Sequence, residues 1–524
     1  MKKQIPRYAT FFLILSAVTA FAQYTDIHDF GDGQPQPPGI LAQGRDGCLY
    51  GSNGLTLFKI CGTTYVTLYR FDIRVWGNYP ELGGLTLGTD GNFYGTTESG
   101  GTFGDGTIFK VTPSGVLTVL YNFNGGSDYC PCAKPKAPPI QGADGNFYGT
   151  TTYGTRRAYK ITPSGTFTAL SSLPGPSFAP LFQARDGNFY GTTFVGGCCS
   201  DSDTVFKLTT GGKLTVIHHF NGMDGKSPRG GVVQGNDGNF YGTALGGGKF
   251  NGGVVFKLTP GGSITVQHNF DAYGAPLDGW EPWTLILATD GNFYGTTHWG
   301  GTGGGGVLFR ITPSGVYSVL HNFNDSTGVT PLSIPMQDTN GQLYGLTEFG
   351  GRMAGVTGVM YRFNLGLKPF IKLMTKSGRA GQTVEILGQG LTGTTKVIFG
   401  TGSASFTVVT DTYMTAVVPV TGTTGSVKVT TPSGILTSNQ IFKVMPTISS
   451  FSPTSGPVGT KVVIKGTGLT QTTKVTFGDV TATFVVNSAT QVSATVPTAA
   501  TTGKITITTA GGTATSAAVF TVSP

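Results

Sequence analysis

Short apolar stretches of four to eight residues alternate with glycine-rich polar turns along the first two thirds of this 524-residue chain. The clearest unit is the octapeptide DGNFYGTT, in which an Asp-Gly turn leads into an apolar run. Complete or looser copies begin at Asp46, Asp90, Asp144, Asp186, Asp237, Asp290 and Asn340. Seven copies at a period of roughly fifty residues predict a repeat architecture in which each copy is one supersecondary unit.

Each unit divides into four short β-type runs. In the fourth copy these runs cover residues 179–185, 188–194, 204–209 and 213–220. Asp-Gly joins the first run to the second as a tight hairpin, and Thr-Pro-Ser-Gly or a variant joins the third to the fourth. The repeat region also begins with a fourth-type run at Tyr24–Phe30, the start of the expected mature chain, and its last unit ends with a third-type run at Val359–Phe363. A one-strand offset of this kind closes a β-propeller ring, so we predict an all-β fold with a seven-bladed β-propeller rather than an open β-solenoid.

A second duplication occupies the C-terminal third, where Thr, Val, Ser and Gly dominate. Residues 377–400 match residues 455–478 at an offset of 78, and both copies alternate apolar and polar positions between turn signals. This pattern predicts two β-sandwiches. We therefore expect a leader at residues 1–22, the propeller at 23–366, and immunoglobulin-like sandwiches at 367–445 and 446–524.

The N-terminal segment has the features of a secretory signal peptide. Lys2, Lys3 and Arg7 precede an apolar run at residues 11–21, and Ala20-Phe21-Ala22 supplies a cleavage pattern. The run is too short to span a bilayer comfortably, so we expect cleavage after Ala22 and a secreted or cell-surface protein without a membrane span. Cleavage removes three positive charges and lowers the formal net charge from +8 to +5. Such a weak field, with no clustered basic face, argues against a nucleic-acid partner.

All six cysteines lie in the repeat region, and an even number in an exported chain favours disulfides over free thiols. They are Cys48, Cys61, Cys130, Cys132, Cys198 and Cys199. Cys48 and Cys61 fall on consecutive strands of one hairpin, where they are placed to face each other. The other four are compatible with local closure or with links between neighbouring loops. A zinc site is disfavoured because no histidine stands at ligand spacing beside them.

Two resemblances to known families follow from these motifs. The pattern DGNFYGTT…GG…G-x-VFKLTPSG, over about residues 24–363, resembles the glycine-rich GloVer tandem repeat of exported bacterial proteins. That resemblance implies an exported or surface repeat domain and implies no catalytic residue set. The segment FSPTSGPVG at 451–459, followed by GTGL at 466–469, resembles IPT/TIG immunoglobulin-like domains, as does the first copy more loosely. Such domains in exported bacterial proteins imply a spacer or adhesion role.

The repeated aspartates and histidines do not predict a site. Each aspartate occupies a hairpin turn, where its side chain bonds to the backbone that follows, and one carboxylate per blade is spread around a ring. His28, His218, His268 and His321 share one position of the fourth run, which is outermost in a blade, so they cannot converge on one metal. No nucleophile-elbow, zinc-protease or phosphate-loop motif is present. We therefore predict no catalytic residue, no metal and no cofactor.

The connections that vary between copies predict a recognition face. In a propeller, the fourth-to-first and second-to-third connections emerge on one face; here they differ in every copy, whereas the tight turns opposite are nearly uniform. The candidate ligand-binding residues on these connections are Trp76, Tyr79, Tyr129, Tyr153, Trp280, Trp283 and Trp299. Aromatic rings on loops of a rigid scaffold suit the apolar faces of sugars.

Three hypotheses about function remain. The first is a non-catalytic binding or adhesion protein whose ligand is a glycan or a surface protein. The second is a secreted lyase or glycosidase, which needs two suitably spaced carboxylates; the candidates are Glu81, Glu98, Asp278, Glu281 and Glu348. The third is a purely structural surface protein. We favour the first because no motif supports catalysis.

Overall fold

The computed structural model describes residues 23–31, 39–72, 83–124, 134–152, 156–195, 202–272, 277–352 and 358–524. Within these ranges the regular structure consists of 46 β-strands. The expected signal peptide at residues 1–22 lies outside them. The part of the chain that is described contains no helix with the length and apolar character of a membrane span.

The first 28 strands form seven four-stranded antiparallel sheets, each of which is one propeller blade. Blades 1 to 3 contain β2 Ala42–Gln43, β3 Leu49–Ser52, β4 Thr56–Cys61, β5 Thr64–Arg70; β6 Thr86–Leu87, β7 Phe93–Thr97, β8 Thr107–Val111, β9 Leu117–Asn122; and β10 Ile140–Gln141, β11 Phe147–Thr150, β12 Arg157–Ile161, β13 Phe167–Ser172. Blades 4 to 6 contain β14 Phe182–Gln183, β15 Phe189–Thr193, β16 Thr204–Leu208, β17 Leu214–His219; β18 Val232–Gln234, β19 Phe240–Ala244, β20 Asn251–Leu258, β21 Ile264–Asp271; and β22 Trp280–Leu287, β23 Phe293–Trp299, β24 Val307–Ile311, β25 Tyr317–Asn322. Blade 7 contains β26 Met336–Gln337, β27 Leu343–Leu346, β28 Val359–Asn364 and the first strand of the chain, β1 Gln23–Asp29.

The ring closes as the strand offset predicted. Strand β1 pairs antiparallel with β28 and is the outermost strand of blade 7, whose order is β1-β28-β27-β26. Across the junction between blades 7 and 1, the Gln43 amide donates to the Thr339 hydroxyl at 2.6 Å. A buried cluster also joins Phe30, Leu49 and Leu346 there. The propeller prediction is therefore confirmed.

The octapeptide repeats because one tyrosine connects two blades. Tyr94 is fully buried, and its hydroxyl donates to Asp90 Oδ2 at 2.8 Å. Its ring stacks on Phe147 of the next blade with the centroids 3.8 Å apart. Equivalent stacks with centroid distances up to 4.1 Å join Tyr50–Phe93, Tyr148–Phe189, Tyr190–Phe240 and Tyr241–Phe293.

The turn aspartates hold these tyrosines. Asp90 Oδ1 accepts the Asn92 amide N–H at 3.1 Å, and Oδ2 accepts the Asn92 side-chain amide at 2.7 Å. Burial raises the pKa of Asp90, but the hydrogen bonds from Asn92 and Tyr94 outweigh it and hold that pKa below the ordinary value. The aspartates are therefore structural turn residues, as their sequence position predicted.

A glutamine in the first strand of most blades adds a main-chain link to the blade before. Gln141 Oε1 accepts the Thr89 N–H at 2.9 Å, while its amide donates to Gly145 O at 3.0 Å. Gln183, Gln234 and Gln337 accept the amides of Ala143, Arg185 and Thr289 in the same way. Each link satisfies a turn N–H that would otherwise lack a partner at the blade junction.

The remaining strands form two sandwiches with the same topology. The first contains β29 Lys372–Leu373, β30 Ser377–Gly378, β31 Thr383–Leu387, β32 Lys396–Phe399, β33 Gly402–Ala404, β34 Phe406–Thr410, β35 Tyr413–Val417, β36 Gly425–Thr431 and β37 Gly434–Val444. The second contains β38 Thr447–Ser452, β39 Ser455–Gly456, β40 Lys461–Thr467, β41 Thr472–Phe477, β42 Val480–Ala482, β43 Phe484–Ser488, β44 Gln491–Thr495, β45 Gly503–Thr509 and β46 Gly512–Val522. The sheet orders β29-β31-β35-β34 and β30-β37-β36-β32-β33 recur as β38-β40-β44-β43 and β39-β46-β45-β41-β42, so the duplication seen in sequence is also a structural one.

The first sandwich packs on the tight-turn face of the propeller. On blade 1, the Arg45 guanidinium bonds to Glu385 at 2.7 Å and lies 4.7 Å from the centre of the Tyr413 ring. On blade 4, Lys376 lies 5.9 Å from the centre of the Phe182 ring. On blade 7, the amide of Phe370 donates to Thr339 O at 2.9 Å. Because blades 1, 4 and 7 are all contacted, the sandwich spans this face of the ring.

A buried carboxyl group marks the contact with blade 7. Asp338 is 2% exposed, and its Oδ1 accepts the Thr339 N–H at 2.7 Å. Burial raises the pKa of Asp338 to about 6, although the hydrogen bond from Thr339 and the charge of Lys372 oppose the shift. The folded protein therefore binds a proton at this group more tightly than the unfolded chain does.

We expect Tyr94→Phe and Tyr94→Ala to separate the two roles of the interblade tyrosine. Phenylalanine keeps the stack on Phe147 but loses the hydrogen bond to Asp90, which costs about 1.5–3 kcal/mol. Alanine also loses the ring and costs about 3–5 kcal/mol. Denaturation midpoints measure both losses, and Tyr344→Phe is the control, since the Tyr344 hydroxyl bonds to the neutral Asn340 amide at 3.1 Å. Equal losses for the two Tyr94 variants would show that the stack contributes nothing.

We expect Asp338→Asn to change how stability depends on pH. A raised folded-state pKa contributes stability that is complete below about pH 4 and lost as the pH rises through about 6. Asparagine removes this titration, so the variant should gain up to about 3 kcal/mol relative to wild type between pH 4 and pH 7.5. Thermal unfolding of both proteins across this range measures the gain. If the difference in stability between the variant and wild type stayed constant with pH, the raised pKa assigned to Asp338 would be contradicted.

Candidate functional site

The face opposite the first sandwich carries an elongated hairpin on blade 6. Its first strand, β22, has eight residues, whereas the corresponding strands of the other blades have two or three. The extra residues lie at the end away from the Asp290-Gly291 turn, so the hairpin extends toward the variable connections. Trp280, Trp283 and Trp299, which the sequence placed in loops, therefore lie on strands. The difference arises because β22 and β23 continue their pairing up to Trp280 and Trp299.

Four side chains at the end of this hairpin form what we call the tryptophan hairpin: Trp280, Glu281, His298 and Trp299. The two indole rings have centroids 6.4 Å apart and planes within 29° of parallel. Trp299 is 37% exposed. The His298 ring stacks on Trp299 at 4.4 Å, and its Nδ1 lies 3.0 Å from Glu281 Oε2. Apolar ring faces thus stand beside a polar pair at the surface, an arrangement that suits a ligand with both kinds of group.

Other exposed apolar side chains share this face. Several large apolar side chains are exposed on the variable connections or on the hairpin. Among the described residues of the repeat region they are Phe103, Val195, Met223, Phe250, Leu277, Trp299 and Phe349. Those exposed elsewhere on the propeller are Val66, Val116 and Val316. The first group comes from blades 2 and 4 to 7, so exposed apolar side chains are spread over five of the seven blades on this face. Concentrations of this kind mark interaction surfaces.

A second feature lies at the centre of the same face, where a small cavity of about 20 Å³ opens at the channel mouth. Its wall is formed by Ile40, Phe178, Ala179, Pro180, Arg229, Gly230, Trp283, Leu332 and Ile334. These residues come from blades 1, 4, 5, 6 and 7, directly before or within the first strand of each blade. This volume is enough for about one water molecule and lies well below the range for small-ligand pockets.

A recurrent backbone geometry places these side chains. Lys134, Ser227, Glu281 and Thr330 have positive φ values of 38°, 55°, 55° and 55°, and each is followed by proline. The residue after that proline is Lys136, Arg229, Trp283 or Leu332. Positive φ is costly for residues other than glycine and persists where the surrounding structure holds it. With Phe178 of blade 4, these four residues form what we call the channel-mouth ring.

The ring is cationic and aromatic on one side. The Arg229 guanidinium lies 5.2 Å from the centre of the Phe178 ring and 4.7 Å from that of Phe194. Lys136 Nζ lies 5.4 Å from the centre of the same Phe178 ring. Lys136 also pairs with Glu98 Oε2 at 2.7 Å, and both residues are more than nine-tenths buried. The opposite side, with Ile40, Leu332 and Ile334, is aliphatic.

The carboxylates considered for catalysis are engaged separately. Glu98 pairs with Lys136, Asp278 with His268 at 2.8 Å, and Glu281 with His298. Glu348 lies on blade 7, within 3.5 Å of the Thr330 hydroxyl, and Glu81 lies outside the described residues. Among the candidate carboxylates that lie in the described residues, no contact places two of them side by side.

The repeated histidines lie on outermost strands and take part in blade packing. His28 stacks on Tyr65 at 4.3 Å, His268 on Tyr317 at 4.0 Å and His321 on Tyr24 at 4.8 Å. Within the described ranges, the residues grouped closely enough to hold a metal are Asp46, Cys48 and Cys61. Cys48 and Cys61 form a disulfide, which confirms that predicted pair and removes both thiolates as ligands.

Several predicted residues lie outside the described ranges. They are Trp76, Tyr79, Tyr129, Tyr153, Cys130, Cys132, Cys198 and Cys199. Of the remaining candidates, Trp280 and Trp299 meet at the surface, whereas Trp283 is 8% exposed and lines the cavity. The structure therefore divides the predicted tryptophans between the hairpin and the channel mouth.

The sequence analysis missed most of the channel-mouth ring, although a signal exists. Lys136, Phe178, Arg229 and Leu332 each stand five residues before the glutamine of a first strand. Equivalent positions of successive blades meet around one axis, so a repeat position whose chemistry changes in every copy marks a shared site. Of the ring residues, the sequence analysis identified only Trp283, because it is a tryptophan and not because of its position in the repeat.

Comparisons with known proteins agree with this architecture. A family model described as the Gloeobacter/Verrucomicrobia repeat matches residues 10–162 and 175–413, and a model of the IPT/TIG domain matches residues 446–522. No curated protein matches the sequence.

Similar solved structures are distant. A fungal alcohol oxidase of the AA5 family, in complex with copper, is 14% identical over 81% of this chain and 99% of its own, with a TM-score of 0.45. A gluconolactonase from Xanthomonas campestris is 12% identical over 65% of this chain and 89% of its own, with a TM-score of 0.35. A surface glycan-binding protein from Prevotella bryantii is 17% identical over 28% of this chain and 38% of its own, with a TM-score of 0.22. At these scores we transfer no function from them.

Proposed function

The chain belongs to the Gloeobacter/Verrucomicrobia repeat family, and we propose that it is an exported, non-catalytic binding protein that recognises a glycan through the variable face of its propeller. The observation that carries this proposal is the tryptophan hairpin. Two nearly parallel indole rings stand at the surface beside a hydrogen-bonded His298–Glu281 pair. Sugars present apolar ring faces edged by hydroxyl groups, which match indole faces and a polar pair respectively.

The scaffold supports such a role because the hairpin is extended on a rigid blade. Strands β22 and β23 pair from Trp280↔Trp299 to Leu287↔Phe293, with one register shift between Pro282 and Thr284, so the backbone that carries both indoles belongs to the sheet. Beneath them, Val255, Phe293 and Phe309 form a buried cluster against which Trp280 packs. A binding surface whose rings are already ordered loses little conformational entropy when a ligand arrives.

The two sandwiches have different roles in this proposal. The first covers the tight-turn face through Arg45, Lys376 and the contacts near Asp338. It therefore acts as a base that leaves the variable face open. The second contacts the first through Gln471, whose Oε1 accepts the Thr424 N–H at 2.7 Å. We assign the spacer role to this second sandwich.

We expect a glycan and polysaccharide binding screen to identify a ligand for the purified protein, and Trp280→Ala/Trp299→Ala to abolish that binding. Loss of both stacking surfaces should weaken the complex by at least about 30-fold. Calorimetry on the best ligand measures the change, and unfolding curves establish that the variant is folded.

Val316→Ala is the control, because Val316 is a 59% exposed apolar side chain on the propeller that lies outside the variable face. Its binding should stay within about threefold of wild type. Failure to bind any glycan would overturn the proposal, and full binding by the double tryptophan variant would remove the hairpin from it. Turnover of the bound sugar would replace the binding role with an enzymatic one.

A further inference from the structure

We infer that the tight-turn end of the propeller channel binds a small oxyanion, with Lys376 as its principal ligand. The oxyanion is a phosphate, a sulfate or the carboxylate of a small organic acid, all of which present negatively charged oxygens to an ammonium group. This end of the channel lies on the opposite side of the ring from the tryptophan hairpin, so the site is separate from the proposed glycan-binding surface. One segment of the first sandwich, residues 370–377, forms it together with the blades that the segment contacts.

This segment crosses the end of the channel from one side of the ring to the other. The amide of Phe370 donates to Thr339 O of blade 7 at 2.9 Å. Met374 packs against a buried cluster of blades 1 and 2. The Lys376 ammonium lies 5.9 Å from the centre of the Phe182 ring in blade 4. Because blade 4 stands across the axis from blades 7 and 1 in a ring of seven, the segment passes over the channel.

Lys376 reaches the inner wall of the channel. Phe182 belongs to β14, the first strand of its blade, and first strands border the central channel of a propeller. In the other blades, the residues that pair with the octapeptide tyrosine as Phe182 does are Ala42, Thr86, Ile140, Val233, Ile286 and Met336. None of these side chains is charged, so the wall beside the Lys376 amine is largely apolar. Electrostatic attraction is stronger beside such a wall than in bulk water.

Lys376 has an unusual environment for a lysine. Burial lowers the pKa of Lys376 to about 8, and the charge of Lys372 contributes to the same shift. The Lys376 side chain is nevertheless exposed to solvent. Both observations fit an amine at the end of a channel, which protein surrounds and solvent reaches. A small ion in solution therefore has access to it.

The described part of the chain supplies no carboxylate to pair with Lys376. The acidic groups around this interface have other partners: Glu385 pairs with Arg45 at 2.7 Å, Asp186 of blade 4 pairs with Lys207 at 3.0 Å, and Asp338 of blade 7 acts on Lys372 through its charge. Lys443 adds a further ammonium on the blade 4 side, where its Nζ donates to the Arg185 carbonyl. This side of the interface therefore carries positive charge that no acid neutralises.

An oxyanion beside Lys376 accepts hydrogen bonds from the ammonium and offsets the repulsion between Lys376 and Lys372. The segment belongs to the sandwich and Phe182 belongs to the ring, so the ion strengthens the contact between these two units. Because the site exists only when both units are folded and packed together, the anion should also stabilise the folded protein.

The test is calorimetric titration of the purified protein with sodium phosphate, sodium sulfate and sodium acetate, with the ionic strength held constant by sodium chloride. We expect at least one of these anions to bind with a Kd below about 10 mM. Their order of affinity distinguishes a phosphate, a sulfate and a carboxylate ligand. The anion that binds should also raise the Tm above the value in chloride. Absence of binding by all three overturns the inference.

Lys376→Gln removes the ammonium and should weaken binding of that anion about 10-fold or more, whereas Lys376→Arg should retain most of the affinity. Unfolding curves establish that both variants are folded. Lys396→Gln is the matched control, since Lys396 is exposed on strand β32 of the same sandwich and its loss removes the same charge. Its affinity should stay within about threefold of wild type.

An unchanged affinity in Lys376→Gln overturns the inference, because the anion then binds elsewhere. An equal loss in Lys396→Gln also overturns it, because binding then follows the net charge of the protein. Neither result changes the test of glycan binding by the tryptophan hairpin, which lies on the other face of the ring.

Discussion

At five of the seven blade junctions a tyrosine of one blade stacks on a phenylalanine of the next, and the ring depends on this interaction. Each tyrosine is buried, is bonded to the aspartate four residues before it, and inserts its ring between blades at centroid distances near 4 Å, such as 3.8 Å for Tyr94–Phe147. One side chain therefore joins the hairpin turn of its own blade to the core of the following blade. This explains why Asp, Phe and Tyr recur together in one octapeptide: changing any of them disturbs two blades.

That constraint also decides where variation is tolerated. The tight-turn face carries the aspartates and the glutamine links, and the first sandwich packs on it through Arg45 and Lys376. Substitutions there would disturb contacts between blades. The opposite connections contact neighbouring blades through side-chain pairs that are not shared by all copies, such as Glu98–Lys136, so they can differ in length and chemistry from copy to copy. Trp299, the centre of the binding surface we propose, is accordingly found on that side.

Much of the fold follows from the sequence because its periodicities are local. The Asp-Gly turns fix the hairpins, and the run at Tyr24–Phe30 predicted the strand that completes blade 7. The site is less accessible to such reasoning. Trp280 and Trp299 pair across an elongated hairpin because β22 and β23 continue that far. No turn signal in the sequence encodes the length of these strands. The approach of Lys136 and Arg229 to the Phe178 ring depends on the circular arrangement of blades and cannot be read from any single repeat.

The geometry of a closed ring gives these few residues their combined effect. Positions about fifty residues apart in sequence become neighbours around the channel axis, so Lys136, Phe178, Arg229 and Trp283 line one opening although no two belong to the same blade. Each copy of the repeat needs to supply only one side chain. Because the first sandwich spans the tight-turn face, the variable face is the side on which these differing side chains can be presented without disturbing the contacts that close the ring.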